Sequence, residues 1–226
     1  MIRQHFMATI IINIIILIAF CGKAWADNDS IYHQKITHHA ESGDLVFRYS
    51  DDFWSNLAAK MSPQDQRFSH VGILIVEHDR IEVIHADGNP IESTPSLARQ
   101  PIKKWLAGSE RVGLFRIQLN KPTRNKIAEA ANRLFKQKIA FDTQFDLSTD
   151  DKLYCTELVV KVVSSVLQDS HETPVRFNQQ AFIDGREYIP VDSLYMNDRV
   201  SEITIPDDWR ATLRWQKQKN NDDKRD

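Results

Sequence analysis

The chain has 226 residues, with 29 basic against 31 acidic side chains, a formal charge of −2 and two cysteines. The near-balance of charge argues against nucleic acid as a partner, which would favour a clustered basic face. Two cysteines cannot build a disulfide scaffold, and the length suits one domain with its own core.

Residues 1–26 read as an export signal. Arg3 supplies the positive start, Ala8 to Phe20 is apolar apart from Thr9 and Asn13, and Ala24-Trp25-Ala26 gives a small-x-small cleavage pattern. The expected product is an exported, periplasmic chain beginning at Asp27, with no transmembrane segment once the signal is removed. A membrane-anchored form is the alternative. The apolar run is short for a span of roughly 20 residues, and Phe20 is a bulky neighbour for lipid modification of Cys21. Cleavage leaves Cys155 as the sole cysteine. A lone thiol in an oxidising compartment needs a reason to be there.

From Asp27 to Ala40 the chain is polar, with His33, His38 and His39 but no partner at zinc spacing, so no metal and no other cofactor is expected. Leu45 to Tyr49 reads as a strand. Residues 51–61 carry Phe53, Trp54, Leu57, Ala58 and Met61 at helical spacing and stop at Ser62-Pro63. Phe68 to Val76 reads as a central strand and Ile81 to Ala86 as its hairpin partner. An even loop centred on His78-Asp79 pairs Val76 with Ile81, Gly72 with His85 and His70 with Asp87. His70, His85 and Asp87 then share one face, with His70 and His85 diagonal neighbours. An odd loop separates the two histidines.

Residues 91–106 read as loop and short helix, and Arg111 to Leu119 as a strand. Thr123 to Lys138 is an amphipathic helix with Ile127, Ala130, Ala131, Leu134 and Phe135 on one face. A loop rich in Asp and Phe follows to Asp151. Its Asp142, Asp146, Asp150 and Asp151 lack the EF-hand spacing and read as solvated. Thr156 to Gln168 carries a helical stripe of Val159, Val162, Val163, Val166 and Leu167, although so many valines favour strand on propensity. Short strands are expected at Glu187 to Val191 and Ser201 to Ile205, and a charged, frayed tail at 216–226. A single domain over 27–215 is the expectation.

Cys155 falls where the acidic loop turns into this helix. The positive end of the helix dipole and free N–H groups there favour a thiolate nucleophile. Such a nucleophile needs a base and a group that orients the base. His70 and His85 supply both, in the order His, polar, Cys, the reverse of papain.

Gly43-Asp44-Leu45-Val46-Phe47, Phe68-Ser69-His70-Val71-Gly72-Ile73 and Tyr154-Cys155-Thr156-Glu157-Leu158-Val159 together resemble the circularly permuted NlpC/P60 (papain-like) cysteine hydrolases of the YiiX/YaeF type. Weaker echoes are Glu92 to Leu97 and the loop from Phe141 to Asp146. The resemblance implies an α+β fold in which an antiparallel half-barrel sheet carries the cysteine helix. It makes Cys155 the nucleophile and His70 the base. It sets a polar third residue near the end of the following strand, where His85 fits, with Asp87 and then Glu82 as substitutes. Cys155 N–H and a second donor, Tyr154 or Tyr49, would hold the oxyanion. The expected activity is cleavage of an amide in a small peptide, with peptidoglycan fragments as the candidate. The alternatives are lipid acyl transfer or hydrolysis, as in lecithin:retinol acyltransferase-like proteins, or a binding module without turnover.

Overall fold

The computed structural model describes residues 33, 36–78, 80–88, 97–182 and 184–203. The signal segment, the 216–226 tail and the echo at Glu92 to Leu97, apart from Leu97 itself, lie outside the described residues.

The centre is a six-stranded sheet in the order β10-β5-β1-β2-β3-β4, antiparallel at every pairing. Its strands are β1 (Leu45–Tyr49), β2 (His70–Glu77), β3 (Arg80–Ala86), β4 (Leu97–Pro101), β5 (Arg111–Ile117) and β10 (Val200–Glu202). The pairs Val76 with Ile81 and Glu77 with Arg80 leave a two-residue turn, with His78 at φ 53°. The hairpin therefore has the even register anticipated from the sequence.

Alternation splits the sheet's side chains between two cores. Val46, Leu74, Ile81, Val83 and Leu114 face a smaller cluster closed by α2 (Ile102–Leu106), which contributes Ile102, Trp105 and Leu106. Leu45, Phe47, Val71, Ile73, Ile84 and Phe115 face the larger one, covered by α3 (Lys121–Lys136) and α4 (Cys155–Gln168). In α4 every member of the apolar stripe, Val159, Val162, Val163, Val166 and Leu167, is buried in this core. Packing of that face outweighs the strand preference of valine.

Three expectations change. Residues 97–101 form β4, where a loop was expected. The strand is short, polar and ends in Pro101, which an edge strand tolerates because one side of it needs no ladder donor. The helix of residues 51–61 is present as α1 (Phe53–Lys60), capped by the Asp52 side chain on Ser55 N–H, but its stripe is not buried. Phe53, Trp54 and Leu57 are 72, 53 and 47% exposed. Finally, the Asp-rich loop is bracketed by a short parallel pair, β6 (Ala140–Phe141) with β7 (Lys152–Leu153). Inside it Asp142 is buried, and its carboxylate accepts the N–H groups of Gln144 and Asp146. Two further short strands, β8 (Gln180–Ala181) and β9 (Glu187–Tyr188), form a hairpin before α5 (Asp192–Tyr195).

Gly43-Asp44 locks the start of β1. Asp44 is fully buried, and its carboxylate takes both Arg116 Nε and Nη2 at 2.7 Å, a bidentate pair between the loop and β5. Gly43 sits at φ +86°, and a Cβ there would lie 2.1 Å from the carbonyl oxygen of Arg124 on α3. Gly43→Ala meets both the left-handed backbone and unyielding main chain. A loss of about 2 kcal/mol or more is expected in urea unfolding, and an unchanged midpoint would contradict this account of the turn.

Candidate active site

Cys155 is the first residue of α4, and Tyr154 occupies the N-cap. The helix start is held on both sides of the cysteine by one partner. Thr156 Oγ1 donates to Ile189 O at 2.6 Å, and Ile189 N–H donates to Tyr154 Oη at 2.9 Å. Glu157, fully buried, accepts the Tyr154 N–H at 3.3 Å and pairs with Lys161 Nζ at 2.9 Å, as an acid in a first helical turn should. The half-buried thiol is thereby set against β2, where the backbone N–H of Val71, with those of Cys155 and Thr156, lies near enough to favour its anion.

Why Val71 has an N–H to give follows from the ladder. The β2–β3 register is paired from Glu77–Arg80 to Ile73–Ile84 and goes no further. Odd-numbered backbone groups of β2 point toward β3, so Val71 N–H opens onto the space where the hairpin has ended. His70 is the residue on the other side of that peptide. The sulfur therefore meets the strand at the His70–Val71 bond.

Extended by the same register, Gly72 faces His85 and His70 faces Asp87. A Cβ on Gly72 would stand 3.3 Å from His85 Cβ and 2.3 Å from Val83 Cγ1, so glycine lets the two strands close at this point. His70 Nε2 lies 3.1 Å from His85 Nδ1, the diagonal contact expected from parity. His85, fully buried, turns Nε2 to the Gln100 side-chain amide at 2.8 Å. Among the described residues His70 Nδ1 has no partner. A base at that nitrogen requires the proton on Nε2, donated to His85 Nδ1. His85 then carries its proton on Nε2, and the Gln100 amide, whose Nε2 faces that nitrogen here, must turn over to accept it through Oε1.

Trp105 of α2 roofs this pair. It stacks on His70 at 5.0 Å and 25°, meets His85 edge-on at 4.5 Å, and lies under the Arg48 guanidinium at 4.4 Å. Arg48 is the register partner of His70 on β1 and donates Nη1 to Trp105 O at 2.9 Å.

Of the candidate third residues, His85 alone touches His70. Asp87 is exposed, and Glu82 is bound to Arg99 at 2.5 Å. Neither tyrosine is available to an oxyanion in this arrangement. Tyr49 Oη donates to Asn56 Oδ1 at 2.7 Å, and buried Tyr154 is held on Ile189. Sequence reading missed Gln100, because β4 was missed, and also Arg48 and the roofing role of Trp105. The pairing of Arg48 with His70 depends on a β1–β2 register that no local pattern specifies.

The resting protonation state differs from the thiolate expected at a helix start. Burial pushes the Cys155 thiol up to about 11, outweighing the backbone donors and Arg48, which favour the anion. Burial first, then His85 and Arg48, holds His70 well below the usual histidine value, and burial with Arg48 and Lys104 brings His85 down to about 3. The free site holds a neutral thiol and neutral imidazoles.

Residues 39–193 match a family described as permuted papain-like amidase enzyme, YaeF/YiiX, C92 family. Over 132 residues the chain is 29% identical to the YiiX protein of Escherichia coli strain K12, covering 56% of this chain and 59% of that relative. The chain thus matches just under three fifths of the relative's length. Among solved structures it resembles yiiX from Escherichia coli O157:H7, described as a metalloprotein, with a TM-score of 0.58 and 19% identity over 73% of this chain and 96% of that one. At that identity the likeness concerns the fold. Among the described residues no three or more His, Cys, Asp or Glu side chains are grouped to hold a metal. In the site itself the relay occupies His70 Nε2 and both nitrogens of His85, which leaves two donors, too few for a closed metal site.

The sign of the thiol shift is testable. A group raised from 9 to about 11 stays protonated through neutral pH, so thiolate absorbance at 240 nm should rise only as pH approaches 11. A midpoint below pH 8 in the free protein would reverse this assignment.

Proposed function

Because this chain belongs to the permuted papain-like amidases of the YaeF/YiiX, C92 family, we propose that it is an exported amidase in which Cys155 is the nucleophile, His70 the proton carrier and His85 the group that orients it. One observation carries this reading. The Cys155 sulfur lies near the N–H of Val71, the residue after His70, while His70 is aligned by His85, which Gln100 meets in turn.

In the neutral site, the sulfur attacks the carbonyl carbon of an amide as its proton passes to His70 Nδ1. A carbon–sulfur bond forms and the carbonyl oxygen becomes an oxyanion near Cys155 N–H. Positive charge on His70 spreads onto the acceptor Nδ1 of His85. When the carbon–nitrogen bond breaks, His70 returns the proton to the leaving amine, and a thioester remains on Cys155. Water then attacks this acyl-enzyme, giving its proton to His70. The carboxylic acid leaves, and the proton goes back to the thiol. No step runs through a metal.

Peptide amides of the cell wall are the substrate class we favour, on the strength of the export pattern in residues 1–26. A lipid acyl ester or amide is the second reading, favoured by the exposed Phe53, Trp54 and Leu57. The helix that carries them is pinned beside His70 through Ser55 Oγ to Ser69 Oγ. Incubation with peptidoglycan fragments and with phospholipid vesicles, read by mass spectrometry, separates the two.

Cys155→Ala should abolish turnover, and His70→Ala should lower kcat by about 10²–10⁴-fold. Gln100→Leu should lower kcat roughly tenfold or more with KM nearly unchanged, because it disturbs proton order rather than substrate contact. A thioester at Cys155 should be captured on rapid acid quench. Full activity in Cys155→Ala would end the proposal. The export half is checked separately: the chain recovered from the envelope fraction should begin at Asp27, and full-length cytoplasmic protein would refute it.

A further inference from the structure

We propose that Arg48 is an anion receptor built into the site, and that its free guanidinium edge holds a carboxylate carried by the substrate beside the scissile amide. This rests on the reading of Cys155 and His70 as the reacting pair and narrows its substrate class. The amides concerned are those with an acidic side chain or a free C-terminus within about one residue of the bond cut.

The case begins with a charge that lacks a counter-ion. Arg48 is half-buried, with its guanidinium plane against Trp105 and Nη1 spent on the Trp105 carbonyl. Among the described residues Nε and Nη2 have no hydrogen-bond partner, and no carboxylate forms an ion pair with Arg48. The other partly buried arginines of the sheet have carboxylates, Arg116 with Asp44 in a two-pronged pair and Arg99 with Glu82 at 2.5 Å. A partly desolvated guanidinium without an anion is costly, and the protein keeps one next to its thiol.

Geometry selects the ligand. The Nε and Nη2 edge offers two parallel N–H donors at the spacing of a carboxylate. Trp105 fixes the plane of that fork. Arg48 pairs in register with His70, and its charge acts on Cys155, His70 and His85 alike, so a bound anion would lie within the reach of a single substrate. The acids within electrostatic range, Asp87 and Asp52, are exposed, and Asp52 caps α1. One cation with two acids nearby suits a singly charged ligand better than a phosphate dianion.

Alkylation of Cys155 tests this without requiring turnover. With the full chain at pH 8, where His70 is neutral, rates with iodoacetate and iodoacetamide are measured by mass spectrometry, and their ratio is normalised to that of free cysteine. The expected normalised ratio is about tenfold or more. It should fall toward one in Arg48→Met and be partly kept in Arg48→Lys, with circular dichroism unchanged. A ratio near one in the parent, or a high ratio that survives in Arg48→Met, overturns the proposal. Should Arg48→Met not fold, saturable protection of the parent Cys155 from iodoacetamide by N-acetylglutamate, and not by N-acetylglutamine, serves in its place. Equal protection by both, or none, also overturns it. Hydrolysis of neutral and acidic amides at equal rates would remove Arg48 from substrate selection and leave the amidase reading standing. An anion preference in alkylation without any amide hydrolysis would do the reverse.

Discussion

The arrangement on which the site depends is the approach of the Cys155 sulfur to Val71 N–H, where the β2–β3 ladder gives out. A central strand in a packed sheet normally commits every backbone donor to a neighbour. Here the hairpin stops pairing at Ile73–Ile84, and the end of the ladder is approached by a side chain from a helix packed on the larger core. The same opening leaves His70 at the rim of the sheet, aligned but still half exposed.

Around that contact the fold separates rigidity from reactivity. The cysteine side is fixed by backbone: Ile189 grips Tyr154 and Thr156, and Glu157 closes the first helical turn. The histidine side is fixed by rings, since Trp105 touches His70, His85 and the Arg48 guanidinium together. The helix dipole and three backbone N–H groups favour the anion at sulfur, yet burial of the thiol and of both imidazoles favours neutrality, and neutrality prevails in the free protein. A site of this kind stores no resting ion pair. In the proposed reaction one forms only as the carbonyl carbon accepts the sulfur, so that charge separation coincides with bond formation.

Local chemistry explains how much of this could be read beforehand. His70 and His85 were placed on one face by counting residues across a two-residue turn, because side chains in strands alternate strictly and an even loop conserves parity. α4 was recognised against the propensity of its valines because five apolar positions repeat at helical spacing. β4 escaped notice because Leu97-Ala98-Arg99-Gln100-Pro101 has neither alternation nor β-branched residues, and its existence depends on hydrogen bonds to β3 rather than on its own preference. With it Gln100 was lost from view. The spacing in α1 predicted the helix but not the exposure of its apolar face, since periodicity tells which residues share a face and nothing about whether that face is covered.

The sequence alone therefore determined the order of the main elements, the hairpin register, the cysteine at a helix start and the family resemblance, all of which follow from spacings of a few residues or from short motifs. Tertiary structure decided that His85 rather than Asp87 or Glu82 meets His70, that Gln100 meets His85, that Arg48 is brought beside His70 with no ion pair among the described residues, and that burial holds the thiol protonated. These depend on which strands become neighbours and on how deeply groups are buried, and both are properties of the assembled core that no local run of residues encodes.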